Sequence, residues 1–164
     1  MMERILPEEL FPKLDLLRPD LVIEQDSKGG FWVLDILRRK KVKLTPEEWV
    51  RQHVLYWLQN QTGYPASLLS VERKVHTSSG NRADVIGYGK DGTPLLLVEC
   101  KAPGESISSI TAMQAMKYNQ HLNASFIWLT NGKTHVVLKV REESEKSEVL
   151  QGLPSFEEMA GERK

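Results

Sequence analysis

The sequence predicts one α/β domain in which helices flank a mixed central sheet, and three observations lead there. A capped, helix-patterned stretch opens at Thr45. Three strand-sized runs follow between residues 69 and 101, separated by short turns. A helix-length segment then precedes another strand at Phe126, and a crossover of that length suits a parallel return to the same sheet.

Taken in order, Val22-Ile23 and Phe31-Trp32-Val33-Leu34 flank the turn-forming stretch Asp26-Ser27-Lys28-Gly29-Gly30, which predicts a hairpin. It belongs to an N-terminal extension, residues 1–44. Thr45 reads as an N-cap, Pro46 as the first helical residue, and Glu48 as the acid that closes a capping box. Val50, Val54, Trp57 and Leu58 recur at helical spacing until Thr62-Gly63-Tyr64-Pro65 ends the helix. Strands are expected over 69–75, 83–88 and 94–101 as an antiparallel meander, with turns at Ser78-Ser79-Gly80-Asn81 and Lys90-Asp91-Gly92-Thr93. After Ala102-Pro103-Gly104 a second helix should span 106–121, followed by a strand over 126–129. Asn131-Gly132 then turns the chain into a strand over 134–140. The core is thus expected over 45–140, and the charged run at 141–146 makes residues 141–164 read as a polar, solvated tail.

Composition narrows the function classes. A chain of 164 residues suits one ordinary domain (1–140 with its extension), and no apolar run approaches the roughly 18 residues of a membrane span. The first residues lack a basic region followed by an apolar stretch, so the expected location is the cytoplasm. One cysteine, Cys100, excludes an internal disulfide and a multi-cysteine zinc site. Lys plus Arg balances Asp plus Glu at 22 each, so overall charge offers no long-range pull on nucleic acid. The basic run Arg38-Arg39-Lys40-Lys41 with Lys43 reads as a solvated edge before it reads as a phosphate contact. The four histidines show no ligand spacing, and the four tryptophans are expected to fill the core.

The chemistry concentrates at the end of Leu95-Leu96-Leu97-Val98-Glu99-Cys100-Lys101. Four apolar residues imply a central strand buried on both faces, and charges arrive abruptly at its end. Strand alternation puts Glu99 and Lys101 on one face, where charges beside a core need partners. Asp84 lies six positions before Lys90 and Glu99 six after Thr93, so a hairpin turn there pairs the two acids across adjacent strands. Two converging carboxylates call for a cation, and oxygen-only ligands favour Mg2+ or Mn2+.

Asp84, the Glu99-Cys100-Lys101 triplet and Gln114-Ala115-Met116-Lys117-Tyr118 resemble the D…ExK…QxxxY pattern of the PD-(D/E)xK nuclease superfamily. Thr45-Pro46-Glu47-Glu48-Trp49-Val50-Arg51-Gln52, Arg82-Ala83-Asp84-Val85, Leu96 to Pro103 and Thr130-Asn131-Gly132 resemble the N-terminal nuclease domain of type I restriction HsdR subunits, over about residues 45 to 135. The resemblance implies a restriction-endonuclease-like sandwich and Mg2+-dependent DNA cleavage, with Asp84 and Glu99 as metal ligands and Lys101 as the catalytic lysine. It further implies that Gln114 and Tyr118 orient the lysine and the DNA backbone. Glu48 resembles the glutamate that some members use to hold a metal-bound water, although the capping box accounts for it equally. Arg51, one turn on, is expected to contact substrate. No P-loop pattern occurs, so ATP-driven translocation is not expected of these residues. A separately encoded motor or recognition subunit, and a homodimer, are the partners this reading leaves open. Its rival is a non-catalytic module that keeps the fold and binds nucleic acid or protein.

Overall fold

Asp26 organises the first described turn of the chain. Its carboxylate accepts the backbone N–H groups of Lys28 and Gly30 and the indole N–H of Trp32, at 2.9, 2.8 and 2.8 Å. Gly29 takes the left-handed backbone (φ 84°) that this tight reversal needs. The expected hairpin forms from β1 (Ile23–Gln25) and β2 (Phe31–Asp35), but a third strand, β3 (Lys40–Lys43), also pairs with β2. Residues 23–43 of the extension therefore form a three-stranded antiparallel sheet, with Lys40, Lys41 and Lys43 of the basic run in β3 and Arg38 and Arg39 in the turn before it. In the computed structural model, residues 9–74, 82–141 and 147–162 are described.

Helix α1 (Pro46–Asn60) starts where its caps predict: the Thr45 hydroxyl accepts the Glu48 N–H at 3.0 Å, and Pro46 occupies the first position. Only that half of the capping box forms, because the Glu48 carboxylate is engaged elsewhere. Six strands then build the main sheet in the order β4 (Leu69–Lys74), β5 (Arg82–Tyr88), β6 (Pro94–Cys100), β7 (Phe126–Thr130), β8 (His135–Val140) and β9 (Ser147–Leu150). All neighbours are antiparallel except β6 and β7, which run parallel across the predicted helical crossover. Val75 and the turn expected at residues 78–81 lie outside the described residues.

The crossover helix α2 (Ser109–Leu122) begins three residues later than expected. Three serines compete as caps at 106, 108 and 109, and Ser108 prevails because Thr111 completes a reciprocal capping box with it. Along β7, Phe126 and Trp128 enter one apolar cluster while Ile127 and Leu129 enter another. Helix α1 contributes Trp49, Val50, Val54 and Leu58 to the first, and α2 contributes Ala115 to the second. The two helices thus cover opposite faces, which is why the central strands read as continuous apolar runs.

The polar-tail expectation is corrected beyond residue 146. β9 pairs antiparallel with β8, setting Val137 opposite Leu150, and α3 (Phe156–Gly161) buries Phe156 and Met159 in the α1-side core. Phe156 packs against Tyr64 with ring centroids 4.6 Å apart and the ring planes tilted by 56°. Only a few apolar residues in a polar segment carry this docking, too few to register as a period.

Candidate active site

The β5–β6 register sets Val85 opposite Val98 and Ile86 opposite Leu97. Just beyond the last paired residues the Asp84 carboxylate accepts the Cys100 N–H, and the Asp84 and Glu99 carboxyl groups lie close enough to share a hydrogen bond, which brings the two acids together as expected. Lys101 follows just beyond the strand, where its backbone N–H still donates to the Thr130 carbonyl at 2.8 Å and keeps the chain aligned with β7. Its positive charge acts on Glu99 and on a third acid, Glu47.

Asp84 and Glu99 live in unlike surroundings. One Asp84 oxygen accepts the Cys100 N–H at 2.8 Å, and the other accepts Arg51 Nη2 at 2.7 Å. Glu99, by contrast, has a buried Oε1 with no hydrogen-bond partner. Burial and the Asp84 charge push the Glu99 pKa up to about 9, against the opposing effect of Lys101. Glu47, half exposed in the first turn of α1, is raised in the same sense by burial and by Asp84, with which it also shares a hydrogen bond. No local signal singles it out, since both first-turn glutamates suit the positive end of a helix equally.

Glu48 does not join this group. It is buried, with its carboxylate accepting Arg38 Nη2 at 2.5 Å, Gln52 Nε2 at 2.9 Å and Arg51 Nη1. Its oxygens are occupied by two guanidinium groups, so the first-turn acid that faces the Asp84–Glu99 pair is Glu47. Arg51, expected as a substrate contact, points instead into the group of acids. It is 5% exposed and enclosed by Glu48, Asp84, Glu47 and Glu72. Burial works against its charge, but the Glu48 and Asp84 carboxylates outweigh that and hold its pKa above the ordinary value. Its office is to fix Asp84.

Gln114 and Tyr118 ride on α2, which covers the face from which Leu97 and Glu99 project. Gln114 is exposed and Tyr118 half-buried against the apolar cluster of that face. Among the described residues, no hydrogen bond joins either to the acidic group. Sequence reasoning missed Arg38, whose guanidinium leaves the basic run to pair with Asp35, Glu48 and Glu72 at 2.7, 2.5 and 2.9 Å. That corrects the solvated-edge reading for this residue, while Arg39, Lys40, Lys41 and Lys43 remain exposed.

Among the described residues, no group of three or more His, Cys, Asp or Glu side chains is arranged to hold a metal ion. The Asp84–Glu99 pair is a two-carboxylate site, which suits a hard cation such as Mg2+ that binds through one or two carboxylates and keeps several waters. The orphaned Glu99 oxygen beside a second carboxylate fits such a cation. No described helix is long and apolar enough to cross a membrane.

No curated protein sequence matches the chain. Among solved structures, it is similar to a fragment assigned as an HsdR subunit of a type I restriction enzyme from Vibrio vulnificus YJ016, at 21% identity and a TM-score of 0.52. That match covers 71% of this chain and 24% of the fragment. The type IIG restriction endonuclease BpuSI is similar at 17% identity and a TM-score of 0.50, over 69% of this chain and 15% of the enzyme. The chain thus spans about a quarter or less of either protein, and the likeness establishes a restriction-endonuclease-like α/β fold. Residues 46–154 match the family described as the N terminus of the type I restriction enzyme R protein (HSDR_N), and the chain belongs to that family.

Proposed function

We propose that this chain is a divalent-metal-dependent nuclease domain that hydrolyses DNA phosphodiester bonds, with Asp84 and Glu99 as the ligands of Mg2+ or Mn2+. The observation that carries the proposal is the buried, unpartnered Oε1 of Glu99 beside the Asp84 carboxylate, with Lys101 two residues further on. A carboxyl group held near neutrality against its own tendency to ionise is a poor structural element. It is a good cation ligand in waiting, because a divalent ion offsets both burial and repulsion. When bound, the ion supplies Lewis-acid stabilisation of the phosphate and a more acidic water.

The chain's own residues supply the rest. Arg51 and the Cys100 N–H fix both oxygens of Asp84, so this carboxylate is oriented before any ligand arrives. Lys101 presents an ammonium group beside the acids, where it stabilises negative charge building on the phosphate or positions the attacking water. Glu47 replaces Glu48 as the first-turn acid that can accept a hydrogen bond from a water in the site. Gln114 and Tyr118, on the helix over the same face, line the approach of the DNA backbone. DNA is the substrate in this reading, and a separately encoded motor or recognition subunit or a second copy of the chain is the protein partner.

The test combines binding and cleavage. Millimolar Mg2+ or Mn2+ should raise the Tm of the wild type and support nicking or linearisation of supercoiled plasmid, and Asp84→Asn should lose both. A wild type whose Tm and plasmid are untouched by either ion would overturn the assignment.

A further inference from the structure

The family match begins at residue 46, yet the three-stranded sheet before it reaches the acidic site. Five buried or nearly buried charges of alternating sign run from that sheet to the start of β5: Asp35, Arg38, Glu48, Arg51 and Asp84. The links are Asp35 Oδ2 to Arg38 Nε at 2.7 Å, Arg38 Nη2 to Glu48 Oε1 at 2.5 Å, Glu48 Oε2 to Arg51 Nη1, and Arg51 Nη2 to Asp84 Oδ1 at 2.7 Å. Gln52 braces the chain by donating to both Asp35 and Glu48, at 3.0 and 2.9 Å.

We propose that Arg38 is a positioning residue of the metal site: through Glu48 and Arg51 it fixes the Asp84 carboxylate, so that Asp35 and Arg38, from the region before the family match, support the site. The inference rests on the nuclease reading above and extends it to residues outside the family match.

Charge arithmetic explains why the relay transmits. Glu48 is shared between two guanidinium groups, and so is Glu72, whose oxygens lie 2.9 Å from Arg38 and 3.6 Å from Arg51. Remove Arg38, and among the described residues Arg51 is the one arginine left paired with both glutamates as well as with Asp84. Its fork is then drawn toward Glu48 and Glu72, and the bond that orients Asp84 slackens. Glu72 provides a second, independent sign that the arrangement is imposed. It sits within β4 at φ 52°, a left-handed backbone that strand residues rarely adopt. The surrounding structure holds that conformation, and the carboxylate it delivers lies between the two arginines.

Mn2+ binding by calorimetry and Mg2+-dependent plasmid cleavage should be measured on the wild type, Arg38→Gln, Arg38→Lys, Gln52→Met and Lys40→Gln. Arg38→Gln should bind Mn2+ about tenfold more weakly and lose about tenfold in kcat, with the KM for DNA nearly unchanged, as expected when a partner of a metal ligand is lost. Arg38→Lys should recover only part of both, because an ammonium cannot span three carboxylates. Gln52→Met, which keeps length and removes only the brace, should move both readouts in the same direction by less, and remains informative if Arg38→Gln fails to fold. The exposed Lys40→Gln, one charge removed from the same sheet, should match the wild type. Folded Arg38 variants with wild-type Mn2+ affinity and kcat would overturn the inference while leaving the nuclease assignment intact. A wild type that neither binds Mn2+ nor cleaves would remove both.

Discussion

The two sides of the acidic site handle buried charge in opposite ways. On the α1 side, Asp35, Glu48, Glu72 and Asp84 are each met by an arginine, and the group is braced from the N-terminal sheet. Around Glu99, one carboxylate oxygen is buried and unpartnered, and the neighbouring groups include two further acids and a lysine. A protein that needed only stability would leave neither the carboxylate nor its neighbours there. The difference teaches that the two carboxylates are held differently: one side fixes both oxygens of Asp84, and the other leaves an oxygen of Glu99 without a partner.

Breaking the reactive side gives the largest expected effect. Glu99→Gln and Lys101→Ala should each reduce Mg2+-dependent cleavage by more than about a hundredfold, a loss typical of removing a group that acts on the reacting centre. Glu99→Gln should at the same time raise the metal-free Tm, since it removes a carboxyl group that burial and Asp84 both disfavour in its charged form. Parallel losses of cleavage and of Tm would mean that Glu99 is structural.

The adjacent glutamates Glu47 and Glu48 sharpen the comparison at single-residue resolution. Glu48→Gln leaves two guanidinium groups short of a buried counter-charge and should destabilise the fold by roughly 3 kcal/mol in chemical denaturation, on the scale of breaking a buried ion pair. Glu47→Gln, at a half-exposed position, should leave stability nearly unchanged and instead raise the Mg2+ concentration needed for half-maximal cleavage. Equal stability losses for both variants would erase the distinction between them.

Much of this architecture was legible in the residues. The Thr45-Pro46 cap, the apolar run of β6, the helical crossover and the pairing of Asp84 with Glu99 follow from local signals that packing reinforces. What escaped is what depends on long-range geometry. Nothing in Arg38-Arg39-Lys40-Lys41 marks the first residue as buried and the rest as exposed; that is decided by Asp35, Glu48 and Glu72 arriving from three other elements. The choice between Glu47 and Glu48 turns on the rotation of α1 against the sheet, a matter of about 100° per residue that capping signals do not encode. The docking of Phe156 and Met159 was hidden for a related reason: a six-residue helix carries too few apolar positions to announce a face.

The smallest expected effect is the share of the pH dependence of stability that Glu99 contributes. Glu99 binds its proton far more tightly in the folded chain, with a pKa near 9 against an ordinary 4.5. Between those values the unfolded chain is ionised at this position while the folded chain stays protonated, so the folded state binds more protons and loses stability as pH rises. That contribution is complete below about pH 4.5 and gone once pH passes about 9. The metal-free Tm, scanned from pH 6 to 9, should therefore carry a downward slope that Glu99→Gln diminishes and Glu48→Gln retains. Added Mg2+ should flatten the slope in the wild type, because the ion competes with the proton for the same oxygens and binds more tightly as pH increases. A downward slope that Glu99→Gln leaves undiminished would mean that Glu99 is not the group whose proton affinity rises on folding, and the contrast between the two sides would then have to be redrawn.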